Sequence, residues 1–276
     1  MIISVASGKG GTGKTTVAVN LALAIEKCQL LDCDVEEPNA AIFIKPKKYS
    51  SHKVSILIPK IDQSSCILCG TCVNICAFSA LAKTDDKIMF FPELCHGCGA
   101  CTYFCPTEAI KEILHEVGNV EIGKNNQVEF VQGLLKIGQP LSPVVIKAVK
   151  QHIKSDSLAI IDAPPGTSCP VISAIKDTDF CILVTEPTPF GLHDFKLSVK
   201  VLKKMNIPFG TIINRSNLGN NHTEQFCKKE DIPILLEIPF SKKIAEAYSK
   251  GYSIFHVLPE YKSKFQEIFI KIKELI

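Results

Sequence analysis

The sequence predicts an α/β protein, a mostly parallel sheet with helices on both faces, interrupted by a small α+β insert. Three observations carry this. An apolar strand, Ile2 to Ala6, runs into a glycine-rich loop that opens a helix from about Lys14 to Glu26. Further on, apolar strands at 158–162, 180–184 and 211–214 alternate with helical patterns. Strands separated by helices imply right-handed crossovers and a parallel sheet. In between, from roughly Ile61 to Ile113, the chain becomes weakly periodic and punctuated by cysteine. The expected organisation is residues 1–60 and 114–276 for the main domain and 61–113 for the insert.

The remaining elements follow in order. Gln29 to Asp32 reads as a second strand ending in acidic residues, and a hairpin is expected around Gly123 to Gln127. A helix is expected over Ser142–His152, with Pro143 in its first turn, where a missing N–H costs nothing. Phe265, Ile268, Phe269, Ile272, Leu275 and Ile276 recur at helical spacing among lysines. This pattern is read as a terminal helix closing the core in preference to a membrane-contacting one.

Charge points to no partner class. The formal +3 becomes about −1 if eight cysteines act as thiolates around two iron–sulfur cores of 2+ each, so nothing suggests nucleic acid. Thirteen cysteines are present, eight of them between Cys66 and Cys105. A disulfide scaffold would be secreted, but Met1 to Ala6 lead straight into the glycine loop and leave no room for a signal peptide. The expectation is a cytoplasmic protein whose clustered cysteines bind metal.

The loop Gly8-Lys9-Gly10-Gly11-Thr12-Gly13-Lys14-Thr15, followed by Thr16, satisfies the phosphate-loop pattern between a strand and a helix. Its glycines let backbone N–H groups face phosphate oxygens at a helix N-terminus. Lys14 is expected on the β- and γ-phosphates of ATP or ADP and the Thr15 hydroxyl on Mg²⁺. The additional lysine, Lys9, resembles the signature residue of the MinD/ParA/Mrp group of ATPases with a deviant Walker A motif. That resemblance implies a P-loop NTPase fold and a homodimer with nucleotide sandwiched between protomers, Lys9 reaching the partner's nucleotide. It also implies that Asp34 orients the attacking water, that Asp162 supports Mg²⁺, that the Gly166 N–H senses the γ-phosphate, and that Asn214 and Arg215 read adenine.

The cysteines occur in two ungapped copies of C-x2-C-x2-C-x3-C, Cys66/Cys69/Cys72/Cys76 and Cys95/Cys98/Cys101/Cys105, offset by 29 residues. The runs resemble those of bacterial two-cluster ferredoxins. The resemblance implies two 4Fe–4S clusters with crossed ligands: Cys66, Cys69, Cys72 and Cys105 on one, and Cys76, Cys95, Cys98 and Cys101 on the other. Ala77 departs from the proline expected after the first run. Zinc is the alternative, but its sites favour separated pairs or admit histidine. Cys169, seven residues past Asp162, is read as a packing or interface residue.

The expected activity is Mg²⁺-dependent ATP hydrolysis coupled to electron transfer or to maturation of a metalloprotein, with a redox or metalloprotein partner. The alternative is a MinD-like positioning or interaction ATPase whose clusters sense redox state.

Overall fold

The computed structural model describes every residue from 1 to 276 except Tyr49. Ile2–Ala6 (β1) leads through the glycine loop into Lys14–Ile25 (α1). Cys28–Asp32 (β2) follows, then the single turn Ala41–Ile44 (α2) and the long strand Lys47–Ile61 (β3). The next segment holds Thr71–Ile75 (α3), Leu81–Lys83 (β4), Ile88–Phe90 (β5) and Ala100–Tyr103 (α4). Ile110–Asn125 (β6) returns along β3 and turns into Val128–Leu135 (β7). From there helices and strands alternate: Ser142–Lys150 (α5), Ala159–Asp162 (β8), Cys169–Ile175 (α6), Phe180–Thr185 (β9), Pro189–Met205 (α7) and Phe209–Asn214 (β10). His222–Lys229 (α8), Ile234–Ile238 (β11), Lys242–Ser249 (α9) and Tyr261–Leu275 (α10) complete the chain.

Among the described residues the main sheet has the order β11-β10-β9-β1-β8-β2-β7-β6-β3. The strands from β11 to β7 are all parallel, and β6 and β3 add an antiparallel edge. Neighbouring residues within a strand serve opposite faces, as the period of two requires. Leu30, Phe130 and Ile160 pack with α1 and α10, while Leu31, Val131 and Ile161 pack with α5, α6 and α7. Both faces are therefore covered, which is why these strands read as continuous apolar runs.

Much of the apolar stripe of α10 is taken up by this packing: Phe265, Ile268 and Ile272 are buried against α1 and Phe269 is partly buried, whereas Leu275 and Ile276 at the end of the helix stay exposed. No helix among the described residues is long and apolar enough to cross a membrane. Phe265→Ala is expected to lower unfolding stability by about 3–5 kcal/mol, read from urea denaturation. A loss below about 1 kcal/mol would contradict the packing.

The edge strands extend further than the sequence suggested. Residues 118–124 of β6 pair with both β7 and β3, but 110–116 pair with β3 alone. The two strands thus leave the sheet as a two-stranded ribbon roughly 25 Å long at about 3.3 Å per residue. Gly118 pairs with Leu135 at the carboxyl end of β7, and that is the end of the sheet where Asp32 and Asp162 lie. The ribbon therefore rises on the side of the glycine loop and carries residues 62–109 there. Lys47, Lys48, Lys53, Lys60 and Pro59 on β3 suit a sheet edge that must not recruit another strand.

The carried segment repeats itself in backbone as well as in sequence. Leu68 (φ 55°) matches Gly97 (φ 66°), Gly70 (φ 80°) matches Gly99 (φ 73°), and Ser79 (φ 54°) matches Glu108 (φ 50°), each pair 29 residues apart. The hydrogen bond from Asp62 N–H to the Ala109 carbonyl (2.8 Å) is answered by Phe91 N–H to Ala80 (2.9 Å). Each pair joins one copy to the other, so the halves wrap around a common centre.

Candidate functional site

The loop between β1 and α1 is braced from two sides. A Cβ on Gly8 would stand 2.4 Å from the Asp194 carbonyl oxygen, so only glycine lets the loop lie directly on α7. Gly13, at φ +96°, starts α1, and a Cβ there would meet Asn214 Nδ2 at 2.5 Å. That amide donates to the Thr12 carbonyl at 2.7 Å, so Asn214 at the end of β10 props the loop as well as facing the cavity.

Lys14 is nearly buried, and its Nζ lies 3.4 Å from Asp34 Oδ2. Burial raises the pKa of Asp34, and the Lys14 charge works against that rise. Asp32 accepts backbone N–H groups from Asp34 (3.1 Å), Asn39 (3.1 Å) and Ala40 (3.0 Å), which fixes the turn carrying Asp34. Asp32 and Asp162 are register partners across β2 and β8 and are fully buried. Burial, reinforced for Asp32 by the charge of Asp162, pushes Asp32 well up. Burial likewise raises Asp162 to about 6, with Lys14 and the nearby Thr15 hydroxyl pulling it back. Among the described residues neither oxygen of Asp162 has a partner at full hydrogen-bond geometry, the Thr15 hydroxyl being near but not so placed, and the buried Thr12 hydroxyl and Asn39 Oδ1 also lack one.

Orphaned carboxylate oxygens beside a threonine hydroxyl and a lysine suit a Mg²⁺-bound phosphate: hard oxygen ligands for the ion, ammonium and backbone N–H for the anion. When bound, the ion would be supported by Thr15 and Asp162. Without a ligand, the buried carboxylate of Asp162 is a cost. Its folded pKa lies above the unfolded value of 3.8, so the cost is full above about pH 6, shrinks as pH falls, and is gone only well below 3.8, where both states are protonated. Asp162→Asn is thus expected to stabilise the ligand-free protein by on the order of 1–3 kcal/mol at pH 7 and by much less at pH 4, by thermal melts. An equal effect at both pH values would contradict this assignment.

Beside the loop lies a cavity of about 370 Å³, the size of a small-molecule site. Gly11, Gly13, Lys14, Thr15 and Thr16 form one wall together with Asn214 and Arg215. Pro239, Phe240, Ile244, Tyr248 and Ile254 also line it and supply apolar surface of a kind suited to a base. These residues, from the end of β11 through α9, carry no motif and were not identified from sequence. Asn39 lines the cavity too.

Lys9 and Gly166 are engaged elsewhere. Lys9 Nζ stands 3.4 Å from Glu186 Oε2, and the Arg215 guanidinium holds the other oxygen of Glu186 at 2.5 Å. Glu186, at the end of β9, is a further residue that sequence reasoning missed. The Gly166 N–H donates to the Ser7 carbonyl at 2.9 Å. Sensing a γ-phosphate would require breaking that bond.

The eight clustered cysteines are free of disulfides and surround two separate cavities. Cys66, Cys69, Cys72 and Cys105 line one, with Ile61 and Ile110 from the ribbon tip. Cys76, Cys95, Cys98 and Cys101 line the other, with Leu57, Pro59 and Glu112 nearer the sheet. In each, the fourth cysteine comes from the other half of the repeat. Among the described residues no three His, Cys, Asp or Glu converge on a point for a single ion; the cysteines instead line the two cavities. The other cysteines differ. Cys28, Cys181 and Cys227 are buried, and burial pushes each thiol up to about 12. Cys33 is buried and raised as well. Cys169 is exposed at the start of α6.

The family profile of the CobQ/CobB/MinD/ParA nucleotide binding domain matches residues 3–254. The chain belongs to this family. Within it, an uncharacterized Methanocaldococcus jannaschii protein, MJ0579, is 33% identical over 92% of this chain and 91% of its own length. An iron-sulfur cluster carrier protein of Pyrococcus furiosus is 27% identical over 91% of this chain and 78% of its own. Among solved structures, the septum site-determining protein MinD of Pyrococcus horikoshii, complexed with Mg-ADP, superposes with a TM-score of 0.59. It is 22% identical and covers 97% of this chain and 93% of that one. This last likeness establishes the P-loop NTPase fold, the mostly parallel sheet with helices on both faces.

Proposed function

We propose that this family member is a Mg²⁺-dependent ATPase that works as a homodimer. Its nucleotide cycle drives electron transfer through two 4Fe–4S clusters in residues 62–109, serving a redox partner or a metalloprotein under maturation. The observation that carries this reading is the division of the cysteines. Each cavity is ringed by one quartet, and each quartet crosses the repeat. Such a ring suits a cuboidal cluster in which every thiolate takes its own iron. Gly70 and Gly99 take the left-handed backbone (φ 80° and 73°) that short turning ligand loops require. The clusters supply one-electron chemistry when bound, and the ribbon holds their site on the nucleotide side of the sheet.

In the ATPase, Lys14 and the loop N–H groups bind and orient the phosphates, and Asp34 is placed to hold the attacking water once its pairing with Lys14 yields to phosphate. Lys9 is the residue proposed to cross to the partner protomer, leaving Glu186 to Arg215. The relatives called cluster carriers support the maturation branch; eight ligands in two closed sites support electron transfer.

Anaerobically purified protein is expected to contain about eight irons per chain and to dimerise with a non-hydrolysable ATP analogue. Lys9→Ala is expected to keep nucleotide binding while weakening that dimer at least tenfold, by light scattering. An unaltered dimer would refute the role given to Lys9.

A further inference from the structure

The backbone repeat permits the two cysteine sites to be compared position by position, and one position differs in charge. Lys83 and Glu112 are 29 residues apart and are therefore equivalent in the two halves. Each lies over the ligand loop of one site. A Cβ built on Gly70, between Cys69 and Cys72, would stand 3.7 Å from the Lys83 side chain at Cδ. A Cβ on the matching Gly99, between Cys98 and Cys101, would stand 3.2 Å from Glu112 Oε1. Both side chains are exposed, and neither forms an ion pair among the described residues, so no partner among them neutralises the charge that each carries beside its loop. The site beneath Lys83 is the one at the ribbon tip, and that beneath Glu112 is nearer the sheet.

We propose that Lys83 and Glu112 hold the two clusters at different reduction potentials, that of the tip site higher and that of the sheet-side site lower. This rests on the cluster reading above. A positive charge beside a cluster favours the form with the extra electron, and a negative charge disfavours it. With both sites loaded, Lys83 would favour the reduced form at the tip and Glu112 the oxidised form on the sheet side, so moving one electron from the tip site to the sheet-side site, the first oxidised as the second is reduced, would run uphill. The pair of side chains gives the module a direction: charge collects at the outer end and is delivered inwards only when something at the nucleotide end lowers the cost.

The test is a redox titration of full-length protein followed by electron paramagnetic resonance. Wild type is expected to show two separate one-electron steps. Lys83→Glu is expected to lower only the upper potential, and Glu112→Lys to raise only the lower one. Each shift is about three- to tenfold in the reduction equilibrium, or about 30–60 mV at 59 mV per tenfold. Combining the two changes should close or invert the gap, while Lys83→Gln and Glu112→Gln should give smaller shifts of the same sign. Two clusters whose potentials ignore these changes, or move together, would overturn the polarity and leave the cluster reading standing. Protein lacking iron and labile sulfide would overturn both.

Discussion

Lys14→Ala is expected to reduce ATP turnover at least about 100- to 1,000-fold, a loss of roughly 3–4 kcal/mol in transition-state stabilisation. The lysine begins α1, is nearly buried, and is the cation that Asp34 approaches. Its removal takes positive charge from the place where phosphate charge develops, in a setting where little water can substitute for it. It also leaves Asp34 half-buried without its counter-charge, so the carboxylate is expected to bind a proton more tightly and to orient water less well. Phosphate release in single turnover, compared with Lys14→Arg, separates positioning from charge, because guanidinium keeps the charge and not the geometry. Turnover equal to wild type in Lys14→Ala would remove the basis for the whole nucleotide site.

Cys98→Ser is expected to halve the iron, from about eight to about four per chain, while nucleotide still binds. Cys98 is exposed and lines only the sheet-side cavity. The crossed arrangement makes a sharper companion case. Cys105 follows the second run in sequence but lines the cavity of the first, so Cys105→Ala should remove the tip cluster and leave the signal of the sheet-side one. Iron content and paramagnetic resonance read both outcomes. Iron equal to wild type in Cys98→Ser, or loss of the sheet-side signal in Cys105→Ala, would refute the ligand sets.

The residues of both candidate sites stand out in sequence for the same reason: the chemistry proposed for them forces residue type and spacing together. A phosphate loop needs glycine, lysine and hydroxyl at fixed offsets, and two cuboidal clusters need four sulfurs each within short, turning loops. Parallel strands buried on both faces announce themselves as apolar runs, so β1, β8, β9 and β10 were plain. What escaped was what depends on remote packing. The apolar wall of Phe240, Ile244 and Tyr248 joins the loop only because β11 lies two strands from β9 and α9 folds back from its end. Glu186 gains significance from Lys9 and Arg215, which approach it from distant parts of the chain. The ribbon did leave a trace in the alternation of Val54, Ile56 and Ile58. Serines, lysines and Pro59 around it obscured the strand, as expected for an edge that must stay unpaired.

The placement of the ribbon bears on how nucleotide could act on the cysteine-bearing segment. An insert on the opposite end of the sheet would have been remote from the phosphate loop. Here it rises from the carboxyl end of β7, beside the strand ends that carry Asp32 and Asp162. Closure of a dimer over nucleotide would therefore change the surroundings of the cysteine-bearing segment. Linkage makes such a coupling reciprocal: whatever nucleotide does to cluster potential, cluster oxidation state does to nucleotide affinity.

The most direct measurement is the potential of each cluster, taken anaerobically with no nucleotide, with ADP, and with a non-hydrolysable ATP analogue. The account predicts that the ATP analogue shifts at least the sheet-side cluster by about 60 mV, equivalent to a roughly tenfold difference in ATP affinity between oxidised and reduced protein. Potentials that coincide in all three states would contradict it, and would mean that the ATPase and the cysteine-bearing segment share a chain without sharing free energy.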